Sequence, residues 1–312
     1  NRRITSRITT AMATITTYQD QDQNIQAIIN ITSATVVIMS SNELRSVLRY
    51  PGSKWRLAKK ICGMIPEHKS YLEPYFGSGA VFFTKPPSRI ETINDLDMDV
   101  VNLFACLRKN PDKLAAMIYA TPYARYLYDQ QFTDIQMTDP YEKALSFLIK
   151  CWMGHGYRTN EYKNGWKNDV QGREKSYAVL NWKRLPSWVL QSAERLRDAQ
   201  IECRPAIELI EKFDNENVFM YIDPPYLLST RCRKQYKYEM EEKDHKELLD
   251  LILSSKSKIM VSGYASELYD TKLAEWNRIE LKNQAESGRV VTEVIWMNYS
   301  FPEKTYIQQT LF

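Results

Sequence analysis

The chain has few residues of the kinds that mark disulfide scaffolds, zinc proteins or membrane proteins. Its five cysteines are scattered and form no Cys-x-x-Cys pair, so we predict neither a disulfide framework nor a zinc site. The three histidines, His68, His155 and His245, lie far apart, and we predict no metal site. No apolar run approaches the length of a membrane span. These absences favour a protein of the reducing cytoplasm without a membrane partner.

Positive charge is concentrated in one part of the chain. The net charge is only +4, but the segment from Tyr141 to Arg204 holds 12 lysines and arginines against 7 acidic residues. The same segment contains several aromatic residues, namely Trp152, Tyr157, Tyr162, Trp166, Tyr177, Trp182 and Trp188. Basic residues interleaved with aromatic ones suit a phosphate backbone and exposed bases. A solvated surface over an aromatic core explains the composition equally, so both interpretations stay open here.

Residues 1–38 differ in composition from the rest of the chain. They are rich in Thr, Ile, Gln and Asn and contain neither Gly nor Pro. The stretch that begins at Met39 resembles a natural start and leads directly into the first motif. We therefore expect residues 1–38 to be a disordered or non-native leader.

Strand and helix patterns alternate in the next part of the chain. Residues 70–76 and 89–95 have the β-branched and aromatic content of strands. A tight turn leads into a predicted helix near Ala80, and apolar residues between Val100 and Leu107 predict a second helix. This alternation predicts a parallel sheet with crossover helices.

The alternation of strand and helix patterns is interrupted between about residues 120 and 190 and then resumes. Within the break we predict a helix at 141–152, a glycine-rich loop at 154–176 and a helix at 187–199. The resumed part predicts helices near 205–213 and 241–255, strands at 218–222 and 258–262, and antiparallel strands at 278–281 and 290–298. The sequence thus predicts one α/β domain, residues 39–120 plus 196–312, interrupted by an insertion at residues 121–195.

The most informative stretch is an apolar run that ends in Asp223-Pro224-Pro225-Tyr226. The prolines end the predicted strand and stiffen the backbone after it. One carboxylate, rigid carbonyls and one aromatic face then lie at the carboxyl end of a strand, where open α/β sheets bind ligands. Such a group can hold a planar amine by its hydrogens while a ring stacks beside it. The alternative is a strand that ends in a proline turn with Asp223 as a cap.

A second group of residues suggests a nucleotide-like cofactor. Gly77 and Gly79 flank a serine between a predicted strand and helix, where glycine lets a ligand approach the backbone closely. Phe82 occupies the third glycine position of the dinucleotide fingerprint, which disfavours nicotinamide and flavin cofactors. Asp95 ends the next strand and can hold ribose hydroxyls. Lys54 belongs to no P-loop, and each of these residues taken alone is compatible with an ordinary turn, cap or surface position.

Taken together, the motifs resemble one enzyme family in their order and spacing. The matching stretches are Tyr50-Pro51-Gly52-Ser53-Lys54, Glu73-Pro74-Tyr75-Phe76-Gly77-Ser78-Gly79, Asn94-Asp95-Leu96-Asp97 and Asp223-Pro224-Pro225-Tyr226. This set resembles the Dam-like D12 class of DNA N6-adenine methyltransferases over roughly residues 46–312. Residues 289–296 also resemble the C-terminal hairpin of that class. The resemblance implies a Rossmann-like S-adenosylmethionine-dependent methyltransferase sheet with an inserted, mainly helical target-recognition domain.

The resemblance also implies roles for individual residues. S-adenosylmethionine would be the cofactor, and Asp223, Pro224, Pro225 and Tyr226 would form the catalytic motif. The cofactor-binding residues implied are Tyr50, Lys54, Glu73, Pro74, Phe76, Gly77, Gly79, Asp95 and Asp223. Asp95 would hold the ribose, and Asp223 would lie against both the amino-acid part of the cofactor and the target amine. The chain departs from the family at residues 201–206, where no acidic residue occupies the expected place near the cofactor adenine.

The implied substrate is adenine in double-stranded DNA. The base would leave the duplex, stack on Tyr226 and be methylated on its exocyclic amine without a metal. We place DNA contacts on a loop of the insertion, at Lys163, Lys167, Arg173 and Lys175. Neutralising them is expected to flatten the salt dependence of binding.

Three alternatives stay open beside this function. N4-cytosine methylation uses the same amine-holding motif, and a catalytically silent DNA-binding protein could have the same fold. Methylation of RNA or of a protein amide is less favoured, because those enzymes usually carry Asn in place of Asp223. The target sequence cannot be predicted, because a few side chains at base edges decide it. We expect a monomer in the cytoplasm, bacterial or phage-encoded, with a cognate restriction endonuclease as a candidate partner.

Overall fold

The computed structural model describes residues 44–133, 136–156, 159, 162–170, 177–231, 233–284 and 290–300. A seven-stranded sheet runs through this part of the chain in the order β3-β2-β1-β4-β5-β7-β6. Its strands are β1 Ser70–Glu73, β2 Ile90–Asn94, β3 Ala199–Glu202, β4 Val218–Ile222, β5 Lys258–Gly263, β6 Asn277–Gln284 and β7 Val290–Met297. The first five are parallel to one another, and β7 is antiparallel to both β5 and β6. The predicted α/β fold class is confirmed.

Helices lie in the connections between the strands. Within the described residues they are α1 Ala58–Cys62, α2 Ala80–Thr84, α3 Met98–Lys109, α4 Pro111–Ala120, α5 Arg125–Gln130, α6 Pro140–Met153, α7 Tyr177–Leu196, α8 Ala206–Lys212, α9 Glu242–Leu253 and α10 Glu267–Lys272. A short 3-10 helix, Leu228–Thr230, follows β4. Local sequence signals explain where the helices start. In α3 the Asp97 carboxylate accepts the Asp99 N–H, and in α6 the Asp139 carboxylate caps a helix whose first residue is Pro140.

The alternating side chains of the strands build two cores, one on each face of the sheet. Along β4, Phe219 and Tyr221 belong to one buried cluster, whereas Met220 and Ile222 belong to the other. Helices α1 to α7 contribute to the first cluster and α8 to α10 to the second. Because a strand buried on both faces reads as a continuous apolar run, the sequence of β4 shows no polar alternation.

Helix α7 differs from its prediction. The sequence predicts a helix that starts after Pro186 at residue 187, but the helix runs from Tyr177 to Leu196 with Pro186 in its interior. A proline inside a helix costs about 3 kcal/mol. A stripe of buried side chains at helical spacing crosses the proline without interruption and outweighs this cost; it comprises Ala178, Trp182, Leu185, Val189, Ala193 and Leu196. The sequence did not predict β3, α4 or α5 either.

The segment between β2 and β3 is mainly helical in the residues that the structure describes. A buried ion-pair cluster joins its last helix to the sheet. Arg195 of α7 donates to Glu91 of β2 at 2.5 Å and to the Phe82 carbonyl at 3.1 Å. Lys85, also buried, pairs with the same Glu91 carboxylate. The division at residues 121 and 195 stays a prediction, and residues 1–38 lie outside the described residues. None of the described helices is long and apolar enough to cross a membrane.

Candidate active site

A cavity of about 320 Å³ opens at the carboxyl ends of β1, β2 and β4. Parallel strands end at the same edge of a sheet, so the motifs that follow them meet there. The predicted site residues that line the cavity are Tyr50, Lys54, Glu73, Pro74, Phe76, Gly77, Asp95, Asp223 and Pro225. Gly79, Pro224 and Tyr226 do not line it. The cavity therefore unites most of the predicted cofactor residues with one carboxylate of the predicted catalytic motif.

The glycine turn after β1 has a backbone that other residues rarely adopt. Gly77 has φ +47° and Gly79 has φ +63°, in the left-handed region that favours glycine. The Gly77 N–H donates to the Asp95 carboxylate at 2.8 Å, which ties the turn to the end of β2. A Cβ on Gly79 would lie 2.3 Å from Cζ of Phe76. Gly79 is thus required for the packing of Phe76 against the turn and does not itself face the cavity.

Two carboxyl groups on the cavity wall, one deeply buried and one partly buried, have raised pKa values. Glu73 is 2% exposed and accepts the Tyr71 hydroxyl hydrogen at 2.6 Å. Burial raises the pKa of Glu73 to about 8. Burial likewise raises the pKa of Asp95 to about 7, although the N–H groups of Asp97 and Gly77 donate to its carboxylate and act in the opposite direction. A cation bound in the cavity would favour the ionised form of both groups.

Asp223 is held by two donors on one of its two oxygens, and a further hydroxyl lies nearby. Lys54 lies 3.0 Å from Oδ1, the Ser262 hydroxyl donates to it at 2.7 Å and the Tyr226 hydroxyl lies 3.2 Å away. Within the described residues, no hydrogen bond reaches Oδ2. Lys54 is only 3% exposed, and burial opposes its charge, but the Asp223 and Glu293 carboxylates together raise its pKa. One oxygen of Asp223 is therefore fixed by the protein, and the other is left for a ligand.

The Tyr226 ring lies in a closed polar and aromatic environment. It is 9% exposed, packs edge to face on Tyr264 at 4.8 Å and has the Lys54 ammonium 4.8 Å from its centre. Its hydroxyl donates to Glu293 of β7 at 2.6 Å. The sequence prediction did not include Glu293, although a single carboxylate inside the apolar strand β7 is a signal that could have indicated it.

The segment after the catalytic motif forms another wall of the cavity. Residues 227–231 and 233–240, here called the strap, include Tyr236 and Glu239, which line the cavity and were not predicted. The Tyr236 hydroxyl donates to the Pro51 carbonyl at 3.2 Å, and Glu239 accepts the Tyr236 N–H at 2.9 Å. The strap therefore packs, from across the cavity, against residues 50–54, here called the N-terminal motif.

The strap also contacts the segment between β2 and β3. The Thr159 N–H donates to the Gln235 carbonyl at 2.9 Å. The Lys237 N–H donates back to the Thr159 hydroxyl at 2.8 Å. Thr159 is 4% exposed, so this reciprocal pair is shielded from water.

The opposite side of the cavity is formed by the loop that lacks the expected acid. The Asn94 side chain holds this loop: its Nδ2 donates to the Arg204 carbonyl at 3.0 Å and its Oδ1 accepts the Arg204 N–H at 2.9 Å. Arg204 itself is exposed and pairs with Glu202 and Glu208. Leu96, Pro205, Ala206 and Ile207 line the cavity here. Apolar side chains and backbone atoms therefore stand where an acid was expected, and they fit a flat, largely apolar ring.

Two of the four predicted DNA-binding residues lie in the described part of the chain. Lys163 is about half exposed and forms an ion pair with Asp129 at 2.8 Å. The backbone of Lys167 is bound on both sides: its N–H donates to the Met153 carbonyl at 2.7 Å, and its carbonyl accepts from the Tyr123 hydroxyl at 2.6 Å. Predicted residues Arg173 and Lys175 lie outside the described residues. The DNA contact of all four stays a prediction.

Comparison with known proteins adds independent information. A type II methyltransferase of Lactococcus lactis subsp. cremoris, M1.LlaDCHI, is 26% identical over 281 residues, which cover 82% of this chain and 96% of that protein. The DNA adenine methylase of Haemophilus influenzae is 29% identical over 192 residues, 58% of this chain and 64% of that protein. The DNA adenine methylase of Escherichia coli strain K12 is 25% identical over 189 residues, 58% of this chain and 65% of that protein.

A family model described as D12 class N6 adenine-specific DNA methyltransferase matches residues 50–286 of the 312. The match spans the N-terminal motif, the glycine turn, the segment between β2 and β3 and the Asp-Pro-Pro-Tyr motif. The predicted enzyme family, its DNA substrate and its methyl donor S-adenosylmethionine are thereby confirmed, and the chain belongs to the D12 class of N6 adenine-specific DNA methyltransferases.

Proposed function

We propose that the protein methylates the N6 amine of an adenine that has left the DNA duplex at a specific site. The observation that carries this proposal is the geometry of Asp223. Its Oδ1 is held by Lys54 and Ser262, with the Tyr226 hydroxyl 3.2 Å away, and its Oδ2 receives no hydrogen bond from the described residues. A carboxylate oxygen fixed in this way can accept an N–H of the exocyclic amine, and the Pro224 carbonyl can accept the other.

These two acceptors would make the amine more nucleophilic. The nitrogen lone pair of adenine N6 is delocalised into the ring, and hydrogen bonds to both N–H groups favour a tetrahedral nitrogen. When bound, S-adenosylmethionine supplies an electrophilic methyl group on a sulfonium. Holding the amine in line with such a group accounts for much of the rate of a bimolecular transfer. Asp223, on the cavity wall, is placed to orient the amine.

The cavity walls suit the cofactor by charge and by shape. The carboxyl groups of Glu73, Asp95 and Asp223 lie on one cavity with the single ammonium of Lys54, and they complement the positive charges of the cofactor. Asp95, at the end of β2, is the candidate partner of the ribose hydroxyls. The apolar loop near Ile207 is the candidate surface for the cofactor adenine.

Binding of the flipped base needs free energy from elsewhere on the DNA. Flipping costs a few kcal/mol, and stacking on an aromatic ring returns roughly 1–3 kcal/mol. The two terms are of similar size, so phosphate contacts must supply the net affinity. Lys163, Lys167, Arg173 and Lys175 are the proposed contacts. Insertion 121–195 is the proposed recognition domain.

The test is transfer of labelled methyl from S-adenosylmethionine to unmethylated duplex DNA, followed by nucleoside analysis. We expect N6-methyladenine with the wild-type protein and none with Asp223→Ala. Asp250→Ala, which removes an exposed carboxylate from α9, is the matched control and should behave like wild type. N4-methylcytosine as the product would show that the target base is cytosine and not adenine. Cofactor binding without any transfer would favour the silent DNA-binding alternative.

The wider setting is part of the same proposal. We propose that the protein is a monomer. Since the substrate is DNA, we place the protein in a bacterial cytoplasm, encoded by the bacterium or by a phage. One relative is named a type II methyltransferase, and a cognate restriction endonuclease is the proposed partner in that setting. Sequencing of methylated DNA would identify the target.

A further inference from the structure

A second carboxylate lies behind the catalytic motif and has no role in the proposed chemistry. Glu293 of β7 is 4% exposed and does not line the main cavity. Its Oε2 accepts the Tyr226 hydroxyl hydrogen at 2.6 Å, and the same hydroxyl lies 3.2 Å from Asp223 Oδ1. Tyr226 therefore stands between two carboxyl groups and has one proton to donate.

The two distances decide where the Tyr226 proton goes. Charge-assisted O–H···O bonds have lengths of about 2.5–2.7 Å, and only the contact with Glu293 is that short. While Glu293 is ionised, the hydroxyl donates its hydrogen to Glu293, and Asp223 does not accept a third full hydrogen bond. If Glu293 is protonated, its contact with the hydroxyl loses its charge, and the hydroxyl turns to the Asp223 carboxylate. If Glu293 is removed, the hydroxyl turns to Asp223 because an unpaired buried O–H is costly.

We propose that Glu293 is a positioning residue for methyl transfer: it takes the hydrogen bond of the Tyr226 hydroxyl and so keeps Asp223 a strong acceptor for the target amine. The inference rests on the proposed role of Asp223 as the acceptor of the amine. Each added donor withdraws electron density from the carboxylate that must hold the N6 hydrogens. Tyr226 thereby acts as a switch whose direction is set by the ionisation of Glu293.

The surroundings of Glu293 determine the pH at which this switch operates. The charged and titratable groups that face it among the described residues are Lys54, Tyr221, Asp223, Tyr226 and Tyr264. Across the hairpin, β6 places apolar Leu281 opposite Glu293. Burial raises the pKa of Glu293, and the Lys54 charge and the Tyr226 hydrogen bond act in the opposite direction. The switch to the less active form therefore occurs on the acid side, above the ordinary pKa of a glutamate.

The test compares Glu293→Gln with wild type over the pH range in which wild-type kcat falls on the acid side. Gln cannot ionise and resembles the protonated side chain. We expect kcat of this variant to be about tenfold lower at alkaline pH, to lack the acid limb and to meet wild type at low pH. KM for DNA and the affinity for S-adenosylmethionine should be nearly unchanged. Glu293→Asp keeps an ionisable carboxyl and should retain an acid limb.

A double-mutant cycle separates the switch from a purely structural role. In a Tyr226→Phe background the hydroxyl that turns to Asp223 is gone. Glu293→Gln should then lower kcat by less than about twofold further. An equal loss in both backgrounds, or a parallel loss at every pH with the acid limb kept, would overturn the inference. If the wild-type protein transfers no methyl group, or Asp223→Ala keeps full activity, the proposed function itself fails and the inference fails with it.

Discussion

The buried carboxyl of Glu73 should make the protein less stable as the pH rises. Its pKa is raised by burial to about 8, from an ordinary value of 4.5. In the unfolded chain the group ionises near the ordinary value, so between the two values the folded protein binds a proton that the unfolded chain has released. Stability conferred by the neutral group is present at acid pH and is lost as the pH rises towards the raised pKa.

The size of the effect follows from the pKa difference. The gap is about 3.5 units, and each unit corresponds to about 1.36 kcal/mol, which gives an upper bound of about 5 kcal/mol. Between about pH 5.5 and 8.5 the loss is about 3 kcal/mol, because part of the gap lies below this range. The glutamine side chain of Glu73→Gln does not titrate, so this variant should lack the loss of unfolding free energy that is due to residue 73. Asp95, whose pKa is raised to about 7, keeps its own contribution in both proteins.

Urea unfolding of the cofactor-free protein at the two pH values measures this difference. We expect the free energy of unfolding to fall more steeply in wild type than in Glu73→Gln, by about 3 kcal/mol. Glu216→Gln, an exposed substitution next to β4, is the matched control and should follow wild type. Parallel losses of stability in wild type and Glu73→Gln would refute the assignment of a raised pKa to Glu73.

Three further predictions follow from the site and the proposed DNA surface. Gly79→Ala should lower the free energy of unfolding by at least about 2 kcal/mol, because a left-handed backbone and a clash coincide there; urea unfolding measures it. Lys54→Met should lower kcat about tenfold or more, because the Asp223 carboxylate loses the ion pair that fixes its orientation towards the target amine; methyl transfer at saturating substrates measures it. Lys163→Gln should reduce the salt slope of DNA binding by about 0.9. Asp129→Asn should raise the DNA affinity at low salt, because it releases Lys163 from its ion pair. Binding titrations at several salt concentrations measure both effects.

Matched variants sharpen two of these tests. Gly156 has φ +58°, and a Cβ added there would meet no described atom within 4 Å, so Gly156→Ala reports the backbone cost alone. An equal loss in both alanine variants would show that the clash at Gly79 is relieved without cost. Lys54→Arg keeps the cation and should recover part of the activity, and equal activity of the Met and Arg variants would contradict the role given to the charge.

Local patterns in the sequence predicted the sheet except for β3, and the resemblance to the D12 class implied the cofactor residues. The apolar runs before Glu73, Asp95 and Asp223 correspond to β1, β2 and β4. Because these strands are parallel and adjacent, residues that follow them share one cavity. The resemblance to the D12 class, and not spacing alone, implied that these residues form a cofactor site. The prediction of a helix start at residue 187 was wrong because Pro186 is a strong local signal. The buried stripe that overrides it acts through contacts with distant helices.

The residues that sequence reasoning missed depend on contacts between distant segments. Glu293 is 67 positions from its partner Tyr226, and Tyr236 is 185 positions from its partner Pro51. Glu293 is visible locally only as a single carboxylate in an apolar strand, which does not identify its partner. Tyr236 belongs to no motif or periodic pattern that indicates a site. The apolar loop around Pro205 was visible only as the absence of an acid, and the backbone hydrogen bonds from Asn94 that shape it leave no signal in composition.

The reciprocal hydrogen bonds between Thr159 and the strap have a consequence for protein engineering. An exchange of residues 121–195 with the equivalent part of a relative would replace Thr159 but leave Gln235 and Lys237 in place. The transplanted segment would then face backbone groups of Gln235 and Lys237 that are positioned to form hydrogen bonds with Thr159. These groups lie beside the wall of the cofactor cavity. Chimaeras built to change the DNA target should therefore transfer residues 233–240 together with the insertion, and a graft without them should lose cofactor affinity as well as its intended target.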